Sequence, residues 1–520
     1  MLALLATGMA ACSTTGDGLA LNEGYGGSGY PGSNLPGTED DMDAPAGGET
    51  GGGPGDDDGV GEDPLPPAPD DEGVDNASDP GACDPDSEVT LYLSPDDSNS
   101  ISSPVQVREA VLGDWGSVQS IAIRTWEFFN YYSFGYPAAP EAGDVAITPS
   151  LLHTEGTAGD YLLQIGISSH ELTAATRAPI NVTLVLDTSG SMAGLAMDML
   201  RETCLAIASS LREGDTVSMV TWSTEDAVVL GGHSIAGPDD PTLRSELEAL
   251  EAGGGTDLNG GLVAGYELAQ QVYDPERINR IVLVSDGGAN VGITDIDLIA
   301  QHAGNADEDG IYMVGVGVGD PVAYHDNLMD TVTDVGKGAS VFIASEEDAW
   351  SVFGDDFIST IDVAARDVQI RLDLPPGFEI VRTSTEELST DKGDVEPQHL
   401  APNDAMVFHQ QIRTCAPDLV TDEDTLAVTV SYYDARTFEA RELRHEVSFG
   451  ELLAADPAQL LKGAAIFTYA ESLKAYKNSD HDGRDAIMTD AFDALQRAEQ
   501  ALPEDPDLAE IRVVLEALLQ

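Results

Sequence analysis

The stretch Ile180–Met192, INVTLVLDTSGSM, constrains the fold more than any other, because an apolar run of strand length breaks off abruptly at Asp187, Ser189 and Ser191. The run reads as a strand buried on both faces, the pattern of a parallel sheet covered by helices. A carboxylate at the end of such a strand sits on the carboxyl edge of the sheet, where open α/β folds bind ligands. Oxygen donors at alternate positions there suit a small hard cation. An ordinary helix-capping turn is the competing reading of the same residues.

A divalent cation such as Mg²⁺ asks for near-octahedral oxygen coordination, more than one short turn supplies, so later loops must contribute. Two stretches answer that need. Gly253-Gly254-Gly255-Thr256-Asp257-Leu258 precedes a helix-like segment, and its glycines permit close backbone approach while Thr256 offers a hydroxyl. The run Arg280–Asp286, RIVLVSD, repeats the strand-then-Asp pattern and is followed by Gly287 and Gly288.

Asp187-x-Ser189-x-Ser191, then Thr256 in a Gly-rich loop, then Asp286 after a buried strand, resembles the von Willebrand factor type A (VWA) domain with its metal-ion-dependent adhesion site. The resemblance covers about residues 178–362. It implies that these five residues hold Mg²⁺, or Mn²⁺ or Ca²⁺, directly or through water. It also implies one coordination position left for an acidic side chain of a protein partner. The residue pattern agrees with the fold this implies. Strand-like runs at Asp215–Ser223, Ala227–Leu230, Arg280–Ser285, Gly310–Val318 and Ser340–Ala344 alternate with helix-period segments. Those segments are Ala193–Arg212, Pro241–Glu251, Asp257–Val272, Thr294–Ala303, Tyr324–Asp334 and Glu346–Ile361. The expectation is an α/β, doubly wound, mostly parallel Rossmann-like sheet.

Strand-like runs flank this domain on both sides: Asp144–Pro149 and Gly159–Ser168 before it, and Ala365–Leu374, Phe378–Thr383, Ala405–Ile412, Thr425–Tyr433 and Glu442–Phe449 after it. One β-sandwich assembled from both flanks, with the α/β domain inserted, is predicted. Helical spacing at Pro457–Lys477, Thr489–Leu502 and Pro506–Leu519 predicts a helical C-terminal segment, with Asn478–Gly483 as a polar turn. Upstream, Val105–Pro137 has a helix-period half and an aromatic cluster ending Asn130-Tyr131-Tyr132-Ser133-Phe134-Gly135-Tyr136-Pro137. It is similar to the N-terminal extension of a bacterial group of VWA-domain lipoproteins. Packing on the neighbouring domain is expected of it, with an aromatic binding platform as the alternative. The expected organisation is signal 1–12, linker 13–88, extension 89–177, VWA domain 178–362, sandwich 363–450 and helices 451–520.

Composition bears on location and partners. The apolar start ending Met9-Ala10-Ala11-Cys12 resembles a bacterial lipoprotein signal whose Cys12 becomes lipidated. This predicts an exported chain, held in the envelope by its lipid alone, with the outer membrane as the expected site. Residues 13–88 are rich in Gly, Asp, Glu and Pro, a composition that cannot offset the entropy of ordering and reads as a disordered tether. With 93 Asp and Glu against 23 Lys and Arg, the formal charge is −70, which argues against nucleic acid as a partner. Of the four cysteines, Cys204 falls on an apolar helix face, and Cys83 and Cys415 form a candidate disulfide in an exported chain. No Gly-x-Ser-x-Gly elbow or HExxH pattern occurs, so the expectation is a non-enzyme that recognises a protein through a bound cation. A structural envelope scaffold whose metal only stabilises the loops, and an acidic cation-binding surface protein, are the alternatives.

Overall fold

The computed structural model describes residues 84–519 apart from 96–97, 114, 116, 155, 288–309, 325, 337 and 480. The expected signal, all but the end of the linker, Cys12, Cys83 and the expected helix Thr294–Ala303 lie outside the described residues. Before the central domain come β1 (Val89–Ser94), β2 (Ala146–His153) and β3 (Asp160–Ser168). The central domain holds β4 (Ile180–Asp187), β5 (Thr216–Trp222), β6 (Asp226–Ser234), β7 (Ile278–Ser285), β8 (Tyr312–Val318) and β9 (Ser340–Ile343). After it come β10 (Ala365–Leu374), β11 (Phe378–Thr383), β12 (Glu387–Ser389), β13 (Gln398–Leu400), β14 (Ala405–Thr414), β15 (Thr425–Asp434) and β16 (Ala440–Ser448).

The central sheet runs β6-β5-β4-β7-β8-β9, parallel except for the antiparallel β5–β6 pair. Every residue of β4 and β7 is buried, as continuous apolar runs require when helices cover both faces. Helix Leu195–Ser210 packs into the core of one face with Leu243, Leu247 and Phe353. Helix Leu258–Gln271 packs on the other, against Val185, Trp222 and Leu283. Cys204 is a free thiol, fully buried on the first of these helices, and burial pushes it up to about 12.

The sandwich takes strands from both flanks. One sheet is ordered β12-β1-β10-β15-β16, with β13 also on β10, and the other β11-β14-β3-β2. β1 is thus hydrogen-bonded between strands that lie hundreds of residues later, and β3 pairs with β14 along its whole length. Leu93, Leu163 and Ile165 from upstream share a core with Ile370, Phe408 and Val428 from downstream, so the sandwich closes only when both flanks meet around the inserted domain. β1 was not among the expected strands, although Val89, Leu91 and Leu93 alternate as a half-buried strand should.

Two ion pairs tie the insertion. Arg177 meets Asp215 at 3.0 and 2.5 Å, and Arg436 meets Asp362 at 2.7 and 2.6 Å. Both carboxylates are buried, which makes the pairing obligatory.

The aromatic stretch packs inward. Phe128, Phe129 and Tyr132 share a core with Phe467, Tyr469, Leu495 and Ile511 of the C-terminal helices, Ala458–Asn478, His481–Ala501 and Pro506–Leu518. Tyr131 and Tyr132 hydroxyls donate to Glu510 at 3.2 Å each. The buried Lys462 ammonium donates to Asp505 and Asp507 at 2.7 Å, and Asp507 in turn accepts from the Ser133 amide at 2.9 Å.

The expected helical segment Glu346–Ile361 is helical over those bounds, as α-helix Glu346–Trp350, a π-helical turn Ser351–Asp355 and α-helix Phe357–Ile361, with the Thr360 hydroxyl bonding the Val352 carbonyl. One expectation is corrected. The expected turn Asn478–Gly483 is mostly helix, because the next helix already begins at His481. Among the described residues no helix is long and apolar enough to cross a membrane.

Candidate metal centre

The site is built at the carboxyl edge between β4 and β7, neighbouring parallel strands in register from Ile180 opposite Ile278 to Leu186 opposite Val284. Helix Leu195–Ser210, which follows β4, and helix Leu258–Gln271, which precedes β7, cover opposite faces of the sheet. Asp187 is the last residue of β4 and Asp286 the first after β7.

Asp187 and Ser189 are fully buried, and Thr256 nearly so. The Ser189 amide donates to Asp187 Oδ1 at 2.8 Å, which curls the loop back over the carboxylate. The Ser285 hydroxyl donates to Asp187 Oδ2 at 2.7 Å, and Ser189 and Ser191 hydroxyls lie 3.0 Å apart. Burial pushes the Asp187 carboxyl up to about 6, the Ser189 and Ser285 bonds oppose it, and the Asp286 charge adds to the rise. Among the described residues, Asp286 Oδ1 is buried with no hydrogen-bond partner. Two carboxylates that raise each other's energy, one with an orphaned oxygen, fit a divalent cation, which would supply the missing charge and the missing partner.

The Gly-rich loop is held against this edge by main-chain bonds. Gly253 N–H donates to the Thr188 carbonyl at 2.8 Å, and Gly190 N–H to the Gly254 carbonyl at 3.1 Å. Gly254 has φ +92°, and a Cβ there would crowd the hydroxyls of Ser223 and Thr224 at 3.1 Å. The Thr224 hydroxyl accepts from Gly255 N–H at 2.7 Å, and Asp257 N–H donates to the Ser223 carbonyl at 2.8 Å. Asp257 also caps its helix, accepting from Gly260 N–H at 3.0 Å. A Cβ at Gly261 would overlap the Trp222 ring, so that glycine is what seats the helix, and Thr256 just before it, directly on β5.

The five residues expected from the sequence therefore lie at the end of β4 or on loops at the same edge of the central sheet. Ser285 and the Ser223–Thr224 turn were not foreseen. Ser285 carried a usable signal, since it directly precedes Asp286 and faces the end of β4, but the contact depends on strand register. Among the described residues no three His, Cys, Asp or Glu side chains converge. A separate cleft of about 1360 Å³ lies among the aromatic stretch, Asp348–Asp356 and Asp404, and none of the five residues lines it. Cys415 is disulfide-bonded.

A model of the von Willebrand factor type A domain matches residues 182–289, a span that contains all five residues. The chain is 26% identical over 269 residues to the uncharacterized protein YfbK of Escherichia coli, covering 49% of this chain and 46% of that protein. It is 23% identical over 273 residues to the uncharacterized protein sll0103 of Synechocystis, covering 52% of this chain and 61% of the other. Inter-alpha-trypsin inhibitor heavy chain H3 of Homo sapiens is 27% identical over 178 residues, covering 33% of this chain and 20% of its own. The alignments thus span about half the length of the first of these relatives and less than two thirds of the second. Among solved structures, a von Willebrand factor type A protein from Catenulispora acidiphila is similar with TM-score 0.47 and 15% identity, covering 70% of this chain and 89% of that one. The central α/β domain of this chain is a von Willebrand factor type A domain.

Proposed function

We propose that the chain recognises a protein partner through a divalent cation held by Asp187, Ser189, Ser191, Thr256 and Asp286. The observation that supports this most is the buried Asp286 Oδ1, with no partner among the described residues, set beside an Asp187 carboxyl whose charged form burial and Asp286 both disfavour. A bound Mg²⁺ would satisfy both groups. It would also attract one carboxylate from outside, in a chain whose overall charge of −70 repels acids at long range. The ligands are hydroxyls and carboxylates, the hard oxygen donors that a divalent cation takes, so cation binding is the reading these groups favour.

The envelope location belongs to the same proposal. A lipid on Cys12 and the acidic linker would hold the recognition domain away from a membrane surface. Pull-down from envelope extracts with Mg²⁺ or with chelator tests the recognition. The wild-type chain should capture a protein only with Mg²⁺, and Asp187→Ala should capture none while keeping its circular dichroism. Capture that survives chelation or the substitution would favour the scaffold reading.

A further inference from the structure

The cleft of about 1360 Å³ that the metal centre does not use lies where three parts of the chain meet. The aromatic stretch lines it with Tyr131 and Phe134, the last helical segment of the VWA domain with Trp350, Asp355 and Asp356, and the sandwich side with Asp404. Small-molecule pockets run to about 1,000 Å³, so this space is larger than one small ligand fills. Its charge is one-sided. Among the described residues eight carboxylates line it against a single basic side chain, Arg108. That guanidinium is already taken by Asp348, by Glu109 at 3.0 Å and by the Tyr131 hydroxyl at 2.7 Å. Glu510 accepts from Tyr131 and Tyr132. The other five, Glu171, Glu347, Asp355, Asp356 and Asp404, form no ion pair among the described residues.

Three of these acids act as one repelling group. Burial raises Asp356 and Asp404, and the charge of Asp355 adds at the first and that of Asp356 at the second. The π-helical turn Ser351–Asp355 sets an indole beside them: a Cβ on Gly354 would stand 3.4 Å from the Trp350 ring, so the ring lies along the turn that carries Asp355. Trp350 is 39% exposed, a large aromatic surface left open next to unpaired carboxylates. Elsewhere in the lining Phe134 stacks on Tyr136 with ring centres 5.6 Å apart. Aromatic faces and unpaired carboxylates both attract organic cations.

We propose that this cleft binds an extended basic peptide segment of a partner protein, a lysine or arginine meeting Asp355, Asp356 and Asp404 with its aliphatic stem over Trp350. The charge selects the occupant. No three His, Cys, Asp or Glu side chains converge among the described residues, which turns the choice from a metal ion to an organic cation. Nucleic acid is repelled, and a second copy of a chain with formal charge −70 brings like charge. The volume asks for a segment rather than a single small cation. The cleft shares no residue with the metal centre, so the two readings are tested apart.

Fluorescence anisotropy of a labelled Gly-Lys-Leu-Lys-Gly-Lys peptide with the full chain tests this, in Mg²⁺ and in chelator at about 0.15 M salt. The peptide should bind in both media, and its counterpart with Glu for Lys in neither. Asp355→Asn with Asp356→Asn, both exposed, should weaken binding about tenfold, and Trp350→Ala about fivefold, with circular dichroism unchanged. Glu442→Gln with Glu446→Gln, exposed on β16 and outside the cleft, should change it less than about twofold. Equal weakening by the β16 pair, or none by either cleft variant, means adsorption of a cation to an acidic chain and overturns the proposal. Spermidine bound as tightly as the peptide, with the same losses in the cleft variants, makes the occupant a small polyamine and also overturns it. Binding of the Lys peptide only in Mg²⁺ assigns it to the metal centre, which overturns the cleft proposal and leaves the metal reading standing.

Discussion

Replacing Asp286 by Ala should change the stability of the metal edge in opposite directions with and without Mg²⁺. In chelator, wild type carries a buried carboxylate oxygen with no partner among the described residues, beside a second carboxylate that its charge disfavours. An orphaned buried acceptor costs about 1–3 kcal/mol, so removing it should leave the variant as stable as wild type or up to about 2 kcal/mol more stable. In Mg²⁺ at about one hundred times its Kd, wild type should gain about 2.7 kcal/mol from binding, and the variant, lacking a ligand, should gain little. The curves should therefore cross. Hydrogen exchange followed by mass spectrometry reads this locally, on peptides covering residues 180–191 and 250–262, which avoids assigning one unfolding transition to a chain with several cores. Wild-type protection should rise about 100-fold with Mg²⁺ and variant protection less than threefold. Destabilisation of the variant by the same amount in both conditions would mean that Asp286 is a packing residue, and the metal argument would fall.

Three other outcomes follow from the structure. Asp215, fully buried, accepts from Arg177, from the Ile180 amide at 2.9 Å and from the Arg212 amide at 2.8 Å, so Asp215→Ala leaves the buried Arg177 guanidinium without its carboxylate. It should lower the stability of β4 and β5 by about 3–5 kcal/mol, measured as loss of exchange protection in those strands, and a loss below about 1 kcal/mol would refute the role. Burial pushes the half-buried Asp404 up to about 7, against the Ala405 amide and Ser98 and with help from Asp356. Because the folded value lies above the ordinary 3.8, its contribution is complete below about pH 4 and is lost as pH rises through about 7. Asp404→Asn should therefore flatten the decline in urea stability between pH 5 and pH 8 by roughly 2 kcal/mol, allowing for solvent at its open side, and an unchanged decline would reject the assignment. We also propose Cys83 as the partner of Cys415, since Pro85 lies against Gly377, Ser87 accepts the Gly377 amide, and the Cys415 amide bonds the Gly377 carbonyl. Peptide mapping without reduction should recover the two cysteines in one linked fragment; alkylation of Cys83 in the unreduced chain would disprove the pairing.

Much of the metal edge was legible because its signals are local. Asp187, Ser189 and Ser191 sit in one turn after one apolar run, and Asp286 repeats the pattern after another. The Ser285 hydroxyl bond to Asp187 was not legible, since it exists only through the pairing of β4 with β7, nearly a hundred residues apart. The aromatic stretch shows the same division. Its composition announced burial, but that it would close over three C-terminal helices, with Lys462 bridging Asp505 and Asp507 beneath it, depended on long-range packing. The sequence reading missed β1, a short strand that gains its partners from β10 and β12, far away in the chain.

By itself, the sequence determined the alternation of strand and helix, the two carboxylates at strand ends, the glycines that let loops approach, and an acidic surface with its lysines confined to the later part of the chain. Hydrophobic period and side-chain chemistry are properties of neighbouring residues, and they survive without any contact being known. Only the tertiary structure decided that β1 and β3 complete a sandwich begun after the inserted domain. It alone left Asp286 Oδ1 buried without a hydrogen-bond partner among the described residues, close enough to Asp187 for its charge to be felt there. Those are consequences of register, burial and strand order, which set distances between residues far apart in the chain.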